Sequence, residues 1–189
     1  KVWDPLVRIF HWALVASFLT AYLSAHDWFS VHIGAGYVIT ALVVFLLVWG
    51  FIGTEHARFR SFVRSPMIVL SHLKDFVTLS ARRYIGHNPA GGAMVIALLI
   101  SLTAIILTGM QLYAEADNAG PFAGLHLGQY IGLGADGGGK YFWEDLHVLF
   151  VNATLVLVFL HVSSVVIGSF AHRENLPRAM VTGKKAKDL

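Results

Sequence analysis

Four stretches of this chain stay apolar for about twenty residues or more, and the segments between them are charged or rich in glycine. The windows cover residues 6–25, 31–52, 92–113 and 141–170. Roughly 20 apolar residues of helix cross the hydrocarbon of a bilayer, so the pattern predicts four membrane-spanning helices. No window contains an internal proline. Pro5, Pro66, Pro89, Pro121 and Pro177 all fall at expected ends or in connections, where a fixed φ and a missing N–H do least harm. Asp4-Pro5 and Asn88-Pro89 place a side-chain acceptor at the N-cap and proline at the first helical position, so the first and third helices should begin sharply. The first window carries His11 and is followed closely by another span, so it reads as a retained helix rather than a cleaved signal.

Composition strengthens this picture. Of 189 residues, 56% are hydrophobic and 13% charged, an apolar share above that of ordinary soluble domains. The expected fold class is an all-α integral membrane protein, a four-transmembrane-helix bundle forming a single domain over 1–189. A connection over 53–91 and a loop over 114–140 join the spans. Within the connection, Val69, Leu73, Phe76 and Leu79 recur at helical spacing among polar residues, which predicts an interfacial amphipathic helix over 66–80. The 114–140 loop holds many glycines and is expected to be irregular and partner-facing.

Charge adds orientation. Lys1 and Arg8, then Arg58, Arg60, Arg64, Lys74, Arg82 and Arg83, then Arg173, Arg178, Lys184, Lys185 and Lys187 flank one set of helix ends, whereas the other side has Lys140. The positive-inside rule therefore places both termini and the 53–91 connection in the cytoplasm. The basic residues follow the membrane sides and form no groove motif, which argues against a nucleic-acid partner.

Four histidines, His11, His32, His147 and His161, lie on the spans. Ionisable groups are rare in hydrocarbon and mark function there. The first helix runs outward and the second and fourth inward, so His11 and His161 share the inner level while His32 and His147 share the outer. His161 follows His147 by fourteen residues, about 21 Å deeper and close to four turns, on nearly the same face. Two histidines per level do not fill a zinc site. They do fill the two axial positions that a haem leaves open. With no cysteine in the chain, thioether attachment, thiolate ligation, iron–sulfur clusters and disulfides are excluded, leaving two non-covalent b-type haems in the bundle core. Gly34 and Gly36, close after His32, could admit a porphyrin, although small residues also serve plain helix packing, as Gly109, Ser163, Ser164 and Gly168 would. His26 competes with His32; the helix that holds His32 and its neighbouring glycines favour the latter.

The runs W-D-P-L-V-R-I-F-H-W at the start, W-G-F-I-G-T-E-H-A-R-F after the second span, G-H-N-P-A-G-G before the third and H-R-E-N-L-P-R-A-M-V-T-G-K-K near the end resemble the prokaryotic cytochrome b-561 family, which includes di-haem cytochrome b subunits of nickel-iron hydrogenases. The resemblance implies a bacterial cytoplasmic (inner) membrane protein with bis-histidine haems, the ligand positions falling on His11, His32, His147 and His161. One departure is Val148 directly after His147, where relatives often carry an acidic residue; this bears on the surroundings of the outer haem. Arg8 on the inner side and Lys140 on the outer are candidate propionate donors, or simple anchoring charges. The resemblance further implies quinone exchange, for which Trp12, His87, Asn88, His172 and Arg173 near the inner haem are the candidates.

The expected function is electron transfer between the quinone pool and a periplasmic redox partner, a c-type cytochrome or a dehydrogenase or hydrogenase. Glu115, Asp117, Asp136, Glu144 and Asp145 would steer a basic partner. A superoxide:quinone oxidoreductase acting alone is the alternative, weakened because an anionic substrate meets one lysine among five acids. A haem-free proton or metal transporter ranks lower, since the spans lack the broken helices such carriers use. Membrane lipid surrounds the chain in every reading, and the sequence leaves assembly into a homo-oligomer open.

Overall fold

The computed structural model describes residues 3–78, 84, 86–133, 138–171 and 173–184. Among the described residues all regular structure is helical. The elements are α1 (Pro5–Ser24), α2 (Phe29–Ile52), a 3-10 turn (Glu55–Ala57), α3 (Phe59–Phe62), α4 (Pro66–Val77), α5 (Pro89–Asp117), α6 (Leu127–Tyr130), α7 (Gly138–Ala171) and α8 (Leu176–Thr182). Helices α1, α2, α5 and α7 are long and apolar enough to cross a membrane. Ile9, Leu23, Phe51 and Phe170 are each at least 66% exposed, a costly arrangement in water and an ordinary one where the solvent is lipid. α5 and α7 outrun their apolar windows. The 34 residues of α7 extend about 51 Å at ~1.5 Å per residue, well beyond a hydrocarbon core of about 30 Å.

Capping explains the sharp starts. Asp4 Oδ1 accepts the Val7 N–H at 2.9 Å, and Asn88 Oδ1 accepts the Gly91 N–H at 2.6 Å; each satisfies a donor the helix itself leaves open.

The chain divides into two compact units, one of Lys1–Ala97 with Phe159–Leu189 and one of Leu98–Val158. In the first, α1 and α2 pack through buried Phe10, Ala21, Ala35, Ile39 and Val43. The Asp4 carboxylate ties the start of α1 to the end of α2, accepting from Thr54 Oγ1 at 2.6 Å and from Trp49 Nε1 at 3.3 Å. Burial pushes its pKa up, but the hydrogen bonds from Thr54, Val7 and Trp49 outweigh that and leave it below the ordinary carboxylate value. Near the C-terminus, Asn175 caps α8 by accepting the Arg178 N–H at 2.8 Å, and the Arg8 guanidinium donates to the Val181 carbonyl. Helix α4 forms where the amphipathic pattern predicts. Among its described side chains His72 is buried, at 6% exposure, while Leu73 is 43% exposed; Leu79 and Ser80 lie outside the described residues.

In the second unit, Ser101 and Thr154 hydroxyls meet at 2.6 Å between α5 and α7. The segment following α5 is more ordered than its glycines suggest. Glu115 accepts the Gly128 N–H at 2.8 Å and lies 3.5 Å from His126 Nδ1. Gln111, 1% exposed, donates to the Leu125 carbonyl at 2.6 Å. A Cβ on Gly128 would fall 2.6 Å from the Gly139 Cα, so α6 sits against the first turn of α7 at a spacing only glycine permits. Gly134 and Asp136 lie outside the described residues.

Candidate cofactor site

The four span histidines are all half-buried. His147 stands on α7 with its Nδ1 3.1 Å from the Ile105 carbonyl and 3.2 Å from Thr108 Oγ1. The Thr108 hydroxyl itself donates to the Ala104 carbonyl at 2.7 Å. A carbonyl can only accept, so the His147 Nδ1 carries the proton and the lone pair falls on Nε2. His32, in the first turn of α2, repeats the arrangement, with its Nδ1 2.8 Å from the Ala21 carbonyl. An imidazole whose Nδ1–H is anchored on a backbone carbonyl is in the tautomer and orientation that metal-ligating histidines use.

Gly109 fixes the His147 ring from one side, since a Cβ there would lie 2.9 Å from the ring's Cε1. Gly34 and Gly36 contrast with it: a Cβ on either meets no atom of the chain within 4 Å. Gly36, one turn after His32, leaves the α2 face beside His32 open, whereas Gly34 lies on the opposite side of the helix.

His11 stands on α1 and His161 on α7, both in the first compact unit. The His11 Nδ1 is buried without a hydrogen-bond partner, a state that native interiors rarely leave unresolved. His26 falls in the turn after α1 and is exposed. Among the described residues, no group of three or more His, Asp or Glu side chains gathers to hold a bare metal ion. Imidazoles on the spans, two of them with Nδ1 anchored on a backbone carbonyl, and no thiolate form a donor set that fits b-type haem, whose macrocycle brings four of the six nitrogens.

The remaining expected residues are placed as follows. Arg8, one turn before His11, reaches Val181 through one guanidinium nitrogen and keeps a buried Nε without a partner. Lys140 is exposed on the first turn of α7. Trp12 is 46% exposed, edge-on to His11 with ring centroids 5.0 Å apart. His87 packs between Trp3 at 4.7 Å and Phe62 at 4.9 Å. Asn88 is engaged as the α5 cap. Arg173 is exposed and adopts a positive φ of 51°, whereas His172 lies outside the described residues. Val148 is 52% exposed. Sequence patterning missed the Ala21 and Ile105 carbonyls, because backbone acceptors carry no residue signature, and Thr108, which looks like any small helix-packing residue.

Membrane-crossing helices that carry histidines, two of them anchored through Nδ1, in a chain without cysteine are the features of a membrane haem protein of the b type. The chain belongs to the prokaryotic cytochrome b561 family, whose model matches residues 2–183. It is similar to a probable Ni/Fe-hydrogenase B-type cytochrome subunit of Rhodobacter capsulatus, 24% identical over 97% of this chain and 80% of the relative. A protein of the same description from Cupriavidus necator is 29% identical over 89% of this chain and 69% of its own length. A third, from Azotobacter chroococcum, is 29% identical over 80% of this chain and 65% of the relative. No solved structure matches. The family makes this protein a membrane b-type cytochrome, an electron carrier.

Proposed function

We propose that the chain holds two b-type haems and passes electrons across the bacterial cytoplasmic membrane between the quinone pool and a periplasmic redox partner. A hydrogenase is the partner that the names of the relatives favour; another dehydrogenase or a c-type cytochrome would meet the same chemistry. His11 and His161 would hold the inner haem, and His32 and His147 the outer, as their depths along the spans predict. Both termini face the cytoplasm, following the basic residues. The observation that carries this reading is the anchoring of the His32 and His147 Nδ1 atoms on the Ala21 and Ile105 carbonyls, the support that histidines ligating a metal through Nε2 use.

Supporting roles follow from placement. The buried Arg8 Nε–H, without a partner, is a donor suited to a propionate of the inner haem, and exposed Lys140 to one of the outer. Gly36 leaves the α2 face beside His32 open to a flat macrocycle. When bound, the irons supply one-electron redox chemistry; the protein positions them and tunes their surroundings.

A dithionite-reduced difference spectrum and a pyridine haemochrome assay test the reading. Low-spin b-type haem at about two per chain is expected. His11→Ala and His161→Ala should remove one and the same haem, and His32→Ala and His147→Ala the other. A colourless wild-type protein, or losses that pair differently, would overturn it.

A further inference from the structure

Trp143, near the start of α7, carries a hydrogen-bond donor with nothing to receive it. Its Nε1 is buried and has no hydrogen-bond partner among the described residues, although buried indole N–H groups ordinarily find an acceptor. Phe142 meets the ring edge-on, with centroids 5.2 Å apart at 78°, and its side chain offers no oxygen or nitrogen. Glu144 and Asp145 follow directly in sequence but are exposed, and adjacent positions on a helix do not face each other. A tryptophan of the interfacial belt keeps its N–H among headgroups and water, which a buried Nε1 does not reach.

The position of Trp143 says what kind of acceptor is missing. It stands four residues before His147 on α7, on the same face and about 6 Å nearer the start of the helix at ~1.5 Å per residue. Lys140, three residues earlier and exposed, continues that face. The same offset recurs on α1, where Arg8, whose buried Nε also lacks a partner, stands three residues before His11. In each helix the spare donor lies between a span histidine and the helix start, and in the orientation proposed above those starts face the two membrane surfaces. The charged groups of a haem are its propionates, and a carboxylate resists hydrocarbon, so they belong on the surface side of the ligand. We infer that the Trp143 Nε1–H donates to a propionate of the outer haem, with Lys140 as the countercharge at the rim. The inference rests on the outer haem proposed above and adds the residue that orients it: two axial imidazoles leave the macrocycle free to turn about the axis through its iron, and a directional, charge-assisted hydrogen bond fixes that angle.

The test titrates the haem-free full chain in detergent with haem and with haem dimethyl ester, whose esterified propionates carry no charge. The outer site is read alone in the His11→Ala background. Trp143→Phe should weaken outer binding of haem about thirtyfold, the loss of a hydrogen bond to a charged group, and binding of the ester only about threefold, the loss of a neutral one. A second variant replaces the Trp143 indole by benzothiophene, which keeps the outline of the ring and puts sulfur in place of the N–H; it should give the same pair of losses. Inner-haem content and spectrum, measured without the His11→Ala change, should stay those of the wild type. If Trp143→Phe disturbs the inner haem as well, the benzothiophene variant decides. Equal weakening for haem and ester shows that the side chain only packs, and overturns the inference, as does unchanged binding of both; either result leaves the di-haem reading standing. A chain that takes up no haem at the outer level with Trp143 intact overturns that reading, and this inference with it.

Discussion

Replacing Gly109 by alanine tests the ligand geometry with two readouts that move in opposite directions. The new Cβ would lie 2.9 Å from Cε1 and 3.2 Å from Nδ1 of His147. Unstrained contact begins at 3.4 Å, so the ring must retreat by the difference, about 0.5 Å, which is enough to lengthen the 3.1 Å contact to the Ile105 carbonyl past hydrogen-bonding distance. Loss of such an anchoring partner lowers metal affinity by roughly 10- to 100-fold, or about 1.4–2.7 kcal/mol. The substitution should nonetheless favour the helix itself, because glycine inside a helix costs about 0.5–1 kcal/mol relative to alanine. Titration of the apoprotein with haem, followed by redox titration, measures the first effect; thermal unfolding of the apoprotein measures the second. A tenfold change in preference between the two oxidation states of a one-electron centre appears as about 59 mV. A Gly109→Ala protein with wild-type haem affinity, spectrum and potentials would refute the claim that this glycine seats a ligand.

Gly36→Ala should behave differently, since the added methyl meets no protein atom within 4 Å: apoprotein stability is expected to hold or rise while uptake of the outer haem falls, and equal uptake would place the macrocycle elsewhere. Ser101→Ala, Thr154→Ala and the double variant should give a coupling of about 0.6 kcal/mol, typical of hydrogen bonds between membrane helices, in a detergent unfolding assay; strict additivity would show that the 2.6 Å contact contributes nothing to stability. Asp4 has a folded-state pKa below its unfolded value, so its contribution is present above the unfolded value and is lost as pH falls through the folded one. Hydrogen exchange at the first turn of α1 should accordingly rise in acid below about pH 4, whereas Asp4→Asn, which keeps a capping oxygen, should show no such step.

The spans were legible because lipid imposes one requirement that hydropathy reads directly: no backbone group may go unsatisfied in hydrocarbon, so twenty greasy residues become a helix. The same measure cannot see where a helix stops once it leaves the acyl chains, and α5 and α7 continue through polar residues such as Glu115 and Lys140. Asp4 and Asn88 announced their caps by residue type and by the proline that follows. On α4 the apolar stripe signalled an interfacial helix, but the burial of His72 depends on contacts outside the helix that periodicity does not read. The span histidines stood out as ionisable groups in an apolar setting. What holds two of them, the Ala21 and Ile105 carbonyls, is main chain, common to every residue and therefore silent in a sequence. Among the residues expected near a quinone, Asn88 and His87 are engaged in capping and aromatic packing, roles that long-range contacts reveal.

The close approach of Gly128 to Gly139 has a consequence for how this end of the molecule meets others. With backbone resting on backbone, and Glu115 and Gln111 mooring Gly128 and Leu125, the described part of this rim, residues 125–133, is held in place before any encounter. A visitor docking there would find a finished surface, and little of the association free energy would go into freezing a wandering loop. Enlarging either glycine by one methyl group would pry the rim open, and recognition should suffer in its off-rate before any contact residue is touched.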